Sequence, residues 1–246
     1  MLALALSAQP KTGTAAEIKA LMSIGVQSAI EDLAPKFEKA SGHKLVPVFG
    51  LAAPLSRRVA DGEAADLLIG TREGVDGLVK AGKVVQGSDA TLVSSGVGIA
   101  VRKGEPKPDI STADTLKRTL LATRAIGYGN PAAGGASGVH FAKVIERLGI
   151  VEQMKPKTKY PMPASFVGTM LVSGEVEIGV QQIPELMSIS GVDLVGPLPG
   201  DLQATTVFAA GIPSSANEPN AARALITFLR SPEAVSVFKA KGFDTH

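Results

Sequence analysis

The run Asn130-Pro131-Ala132-Ala133-Gly134-Gly135-Ala136-Ser137-Gly138 carries glycines and small residues straight into a helical pattern. A turn of this kind presents backbone N–H groups to an anion, with Ala136, Ser137 and Gly138 at the helix start and the Ser137 hydroxyl as an extra donor. It has neither the dinucleotide GxGxxG spacing nor the lysine followed by Ser or Thr of a P-loop. Four other turns offer related chemistry. In Ser23-Ile24-Gly25-Val26-Gln27, a hydroxyl and a glycine open a helix, so Ser23 and Gly25 are candidate anion contacts, with an ordinary capped turn as the alternative. Gly50-Leu51-Ala52-Ala53 is small enough for a ligand to approach the backbone at Ala52. In Gly70-Thr71-Arg72-Glu73, the Arg72 guanidinium can take a carboxylate through two parallel hydrogen bonds or pair with Glu73 at the surface. Gln181 and Gln182 close a strand with amides that donate and accept.

Catalytic constellations are sparse. Of the 3 histidines, His43 precedes a strand and His246 ends the chain, which leaves His140 beside the glycine loop. No Gly-x-Ser-x-Gly sequence marks a nucleophile elbow, and neither paired histidines nor an EF-hand spacing marks a metal site, so no metal and no cofactor are expected. The absence of cysteine excludes disulfides and thiolate chemistry and is compatible with either redox compartment.

These turns need a scaffold that holds strand ends together. From Glu17 onward, apolar runs alternate with amphipathic helical patterns, which predicts an α/β fold around a mostly parallel sheet, with ligands bound outside the carboxyl ends of the strands. Strands are expected at Glu17–Met22, Lys44–Phe49, Asp66–Ile69, Leu92–Val101, Ala125–Tyr128, Ile178–Gln181 and Thr205–Ala210. Helices are expected at Ser28–Ala40, from Pro54, and at Gly74–Ala81, Gly138–Leu148, Pro219–Leu229 and Pro232–Lys241, with a kink at Pro35. At 246 residues and 45% hydrophobic, the chain is long and apolar enough for two lobes, and Pro/Gly-rich punctuation falls at Gly104–Pro108 and Gly196–Gly200. Its net charge is +2 and its basic residues are dispersed, so it lacks the stripe that a nucleic acid requires. The opening Met1–Ala8 reads as the remnant of a signal peptide, with a native N-terminal strand as the alternative.

Five segments together carry a family resemblance: SAIEDLAPKFEKASGHKLVPVFG, GEAADLLIGTREGVDGLVKAGKV, YGNPAAGGASGVHFAKVIERLGI, SGEVEIGVQQIPEL and PNAARALITFLRSPEAVSVFKAKGF. Across residues 17–243 the chain resembles the molybdate-type periplasmic solute-binding proteins of ABC transporters, the class II periplasmic binding proteins. The resemblance implies two α/β lobes, each with its own sheet, joined by crossing segments near Gly96–Arg102 and Ala204–Phe208. It places a leader at 1–16, one lobe at 17–100 plus 206–246 and the other at 101–205. It further implies a periplasmic monomer that closes on a small anion and delivers it to a transporter permease.

At the site, this sequence departs from the family. Gly25, with Ser23 two residues earlier, stands where a serine is usual, Leu51-Ala52-Ala53 replaces Ser-Ser-Gly, and Gln182 replaces a tyrosine. An organic carboxylate is therefore as well matched as an oxyanion. GNPAAGGASG and EIGVQQIPEL are similar to a branch that includes a bacterial aconitate isomerase. The alternative is thus an enzyme acting on a polycarboxylate, with His140, Arg72 and Gln182 as its candidate groups.

Overall fold

A computed structural model describes residues 15–245. The signal-peptide reading of Met1–Ala8, and His246, lie outside the described residues. In chain order the strands are β1 (Glu17–Ser23), β2 (Lys44–Gly50), β3 (Leu67–Thr71), β4 (Ala90–Arg102), β5 (Ile126–Tyr128), β6 (Thr158–Lys159), β7 (Ile178–Gln182), β8 (Val192–Pro197) and β9 (Thr205–Gly211). The helices are α1 (Gln27–Ser41), α2 (Ala52–Ala60), α3 (Arg72–Lys80), α4 (Ala113–Ala122), α5 (Ala136–Arg147), α6 (Val151–Met154), α7 (Val167–Val172), α8 (Ile183–Met187), α9 (Pro219–Leu229) and α10 (Pro232–Ala240). Among the described residues no helix is long and apolar enough to cross a membrane.

Local sequence accounts for the limits of these elements. In α1, Ile30, Leu33 and Phe37 recur at helical spacing and are buried together, and the helix ends at Gly42 with φ 74°, the left-handed position that glycine adopts without a Cβ clash. Pro35 lies inside α1, which continues past it to Ser41. In β1 and β3 neighbouring side chains alternate between two buried clusters. Met22 and Ile69 pack with Phe37, Leu225 and Phe238, while Leu21 and Leu68 pack with Leu55, Val75 and Ala209 on the other face. A sheet covered on both faces reads as a continuous apolar run, as these strands do.

The strand order is β2-β1-β3-β9-β4-β7-β5-β6, with β8 also paired to β4. β4 is shared: Ala90–Gly96 pairs with β9 in the first lobe, and Val97–Arg102 pairs with β7 and β8 in the second. The second lobe has its own core, with Ile99, Leu116, Phe141 and Val180 on one side of its sheet and Ala100, Leu171 and Leu186 on the other. The sheet is more mixed than the sequence suggests. β1–β2, β1–β3, β5–β6 and β5–β7 are parallel, but β3–β9, β4–β9, β4–β7 and β4–β8 are antiparallel. The chain leaves the first lobe along β4 and returns along β9, so the two crossing segments run in opposite senses.

A buried carboxylate fastens the first lobe. Asp66 Oδ2 accepts the Lys19 N–H at 2.9 Å, and its Oδ1 accepts the N–H groups of Asn217 and Glu218 at 2.9 Å each, joining β1 to the start of α9.

Candidate functional site

Between the lobes lies a cavity of about 110 Å³, lined by the carboxyl ends of β1, β3 and β7 and by the residue that follows β5. A water needs roughly 10–15 Å³ by this measure, so the space has room for a small anion or carboxylic acid. The first lobe contributes Ser23, Gly25, Leu51, Ala52, Thr71 and Phe208, and the second contributes Asn130, Ala136, Ser137, Gly138, Pro161–Ser165, Gln181, Gln182 and Glu185. The lobes touch at its mouth. A Cβ built on Gly134 would lie 3.1 Å from Ala53 Cβ, and one on Gly135 would lie 3.3 Å from Leu51 Cδ2, so the conformation is closed.

Donors converge from both sides. α5 begins at Ala136 after the N-cap Gly135, and Val139 is the first residue whose N–H reaches back, at 3.0 Å, to the Gly135 carbonyl. The N–H groups of Ala136, Ser137 and Gly138 precede it and have no helical acceptor. Ser137 makes no side-chain hydrogen bond to any described residue. Across the cleft, α2 starts at Ala52, and Leu55 N–H is the first to bond back, to the Leu51 carbonyl at 3.1 Å. Ser23 Oγ accepts the Gly25 N–H at 3.2 Å and keeps its own hydrogen to donate. Each helix start adds the positive end of its dipole.

The two glutamines line the cavity, yet much of their hydrogen bonding is spent on the scaffold. Gln181 Oε1 accepts the Val167 N–H at 2.8 Å and its Nε2 donates to the Ser165 carbonyl at 3.3 Å, which fixes the Pro161–Ser165 loop. Within that loop Ala164 has φ 57°, the left-handed region a Cβ disfavours. Gln182 Oε1 accepts the Ser95 hydroxyl at 2.6 Å, and its Nε2 donates to Thr206 Oγ1 at 2.7 Å. Gln182 thereby bridges both crossing strands from inside the cleft. Each amide retains one N–H for a ligand.

Arg72 and His140 are turned elsewhere. The Arg72 guanidinium donates to Asp89 Oδ2 at 2.9 and 3.2 Å and lies 3.3 Å from Asp76, outside the lining residues. His140 Nε2 donates to the Leu202 carbonyl at 2.8 Å, also outside them. Neither is among the residues that line this cavity. In their place stands Glu185, which sequence reasoning passed over. Its Oε2 accepts the Gln182 N–H at 3.1 Å, and burial pushes its carboxyl up to about 8 against that one bond. The sequence signal for it was a carboxyl three residues beyond a strand-terminal Gln, in the capping-box position of a short helix. Thr71 and Asn130 lie in turns that the sequence singles out, but Phe208 and the Pro161–Ser165 loop were missed. Their place on the wall is set by tertiary packing rather than by a local pattern.

The chain matches the family of bacterial extracellular solute-binding proteins over residues 18–244. It belongs to that family. Among its relatives, an aconitate isomerase from a Pseudomonas species is 34% identical over 243 residues, covering 96% of this chain and 89% of the relative. The molybdate-binding protein ModA of Azotobacter vinelandii is 26% identical over 237 residues, covering 93% and 90%. The solved periplasmic molybdate-binding protein of Azotobacter vinelandii superposes with a TM-score of 0.75 at 19% identity, covering 93% of this chain and 99% of that one. The fold is thus that of the periplasmic binding proteins, with two α/β lobes and a hinge of two crossing segments.

In this solute-binding protein the glycine of the first turn has a steric reason. A Cβ on Gly25 would lie 2.6 Å from Phe208 Cζ and 2.9 Å from its Cε1. Phe208 is itself held edge-on by Phe243, with ring centroids 6.2 Å apart. Gly25→Ser is expected to cost roughly 1–2 kcal/mol through overpacking and to weaken anion binding. The double variant with Phe208→Leu should recover part of the loss, read as a coupling energy in thermal melts. Additive losses would rule out the contact as the cause.

Proposed function

We propose that this chain is a periplasmic solute-binding protein that captures a small organic anion, a carboxylate in preference to a metal oxyanion, and presents its closed form to the permease of an ABC transporter. The observation that carries this reading is the pair of helix starts, Ala52 on one lobe and Ala136–Gly138 on the other, aimed into one small cleft with no lysine, arginine or histidine among the described residues of its wall. Ser23, Gly25, Ser137 and the spare N–H groups of Gln181 and Gln182 complete the donor set. A ligand that bridges both lobes binds the closed form better than the open one, which is the differential affinity a closure switch requires. The preference for a carboxylate rests on the lost hydroxyls of the second turn and on the 34% identity to an aconitate isomerase.

That identity also favours a second reading, in which the chain isomerises a polycarboxylate in the same cleft, with Glu185 as the group that moves a proton. Calorimetry and thermal melts against cis-aconitate, trans-aconitate, citrate, molybdate, tungstate and sulfate separate the readings. A ligand at one hundred times its Kd adds about 2.7 kcal/mol of stability, which for a chain of this size raises Tm by roughly 5–10 °C. The carboxylates are expected to give such a shift, and the oxyanions a smaller one. No shift from any anion at millimolar concentration sinks the binding reading. Binding without conversion of cis- to trans-aconitate removes the enzyme.

A further inference from the structure

Among the described residues, Glu185 is the single titratable one on the wall of the cleft. It is only 6% exposed, and one of its carboxyl oxygens takes no hydrogen bond from any described residue. Among the described residues, no charged side chain faces it from the elements packed around it. α8 packs against β4, β7, β8, α7 and the turn Ile24–Val26. β7, α7 and that turn carry no titratable side chain. On β4 and β8 the charged residues are Arg102 and Asp193. Arg102 Nη2 donates to Glu105 Oε1 at 2.6 Å, and Asp193 Oδ2 accepts the Gly104 N–H at 3.0 Å, both at the far end of these strands. On the C-terminal segment beside Met187, Lys241 pairs with Asp32 at 2.7 Å.

An anion enclosed in this cleft therefore meets a carboxyl with no cation to screen the pair. Two negative charges a few ångströms apart in a water-poor site repel strongly, whereas a protonated carboxyl is a hydrogen-bond donor to the same anion. We propose that Glu185 enters the ligand complex in its acid form and donates its hydrogen to the bound anion, so that capture of the anion carries one proton with it. The proton comes from solvent whenever the free protein holds Glu185 ionised, and no bond other than this hydrogen bond is made. The inference rests on the anion-binding reading above and assigns the cleft a preference for ligands with an acceptor oxygen at the Glu185 end.

With the Glu185 carboxyl pushed up to about 8 by burial, neutral solution already holds it mostly protonated. One linked proton then makes affinity nearly flat below neutral pH and lowers it by up to tenfold per unit above the ionisation. The test is titration calorimetry of the full chain with trans-aconitate at pH 7 and pH 9, each in two buffers of different ionisation enthalpy, for the wild type and Glu185→Gln. The wild type is expected to take up close to one proton per ligand at pH 9 and almost none at pH 7, and to bind about tenfold more weakly at pH 9. Glu185→Gln, whose amide donates at every pH, should take up none and bind equally at both. Wild-type binding without proton uptake at pH 9 overturns this inference and leaves the anion reading intact. Absence of binding by trans-aconitate and by every other anion of the panel overturns both.

Discussion

Gly138→Ala is expected to destabilise the protein by about 3 kcal/mol and to abolish anion binding. A Cβ at this position would lie 2.1 Å from the Gly129 carbonyl oxygen, 2.7 Å from its carbon and 3.1 Å from its Cα. All three atoms are backbone, so no rotamer change relieves the clash. α5 must move away from the end of β5. Its buried residues Phe141, Val144 and Ile145 would lose contact with the core, including the edge-on packing of Phe141 on Tyr128 at 5.1 Å. The same movement carries the N–H groups of Ala136, Ser137 and Gly138 away from Ser23 and Ala52, so stability and binding fall together. For a chain of this length the loss corresponds to a drop in Tm of roughly 6–12 °C. Gly77→Ala is the control. That glycine lies inside α3 with open space around its Cβ, and the change should stabilise by roughly 0.5–1 kcal/mol. A Gly138→Ala protein that melts and binds like the wild type would refute the close approach of α5 to β5.

The same glycine shows what can be read along the chain and what cannot. The alternation of apolar runs and helical patterns locates β1, β2, β4, β7 and β9 within a residue or two, and gives the limits of α9, because period and capping are local properties. α4 and the short α6, α7 and α8 escape that reading, as does β8. Its Gly196-Pro197 end looks like loop punctuation and becomes a strand only because β4 offers it partners. At the site, the donor turn before α5 is legible because N–H groups at a helix start need no distant partner. Arg72 and His140 are not, since their orientation is decided by Asp89 and by the Leu202 carbonyl. Gly25 belongs to the same class: its missing side chain is explained by Phe208, a residue of the returning strand β9. Residues whose role depends on the second lobe, or on the strand that comes back from it, are invisible to spacing.

Glu185→Gln should also change how folding stability depends on pH. The Glu185 carboxyl is raised from its ordinary value of 4.5 to about 8 in the folded protein, chiefly by burial. Between those values the folded state holds a proton that the unfolded chain releases. Its contribution is therefore fully present below about pH 4.5, declines by ~1.4 kcal/mol per pH unit as the pH rises, and levels off once the folded group ionises. The glutamine variant has no such proton. Relative to the wild type it should gain several kcal/mol between pH 5 and pH 8, with unchanged m-values in urea unfolding. Parallel stability profiles for the two proteins would mean that the carboxyl is not held in its acid form. A buried, nearly unpaired carboxyl with this cost is a poor structural element, because an amide of the same shape keeps the fold without the penalty. Its position on the wall of the ligand cleft supplies the other side of the balance: stability is surrendered between about pH 4.5 and pH 8 to keep an acid where the anion lands.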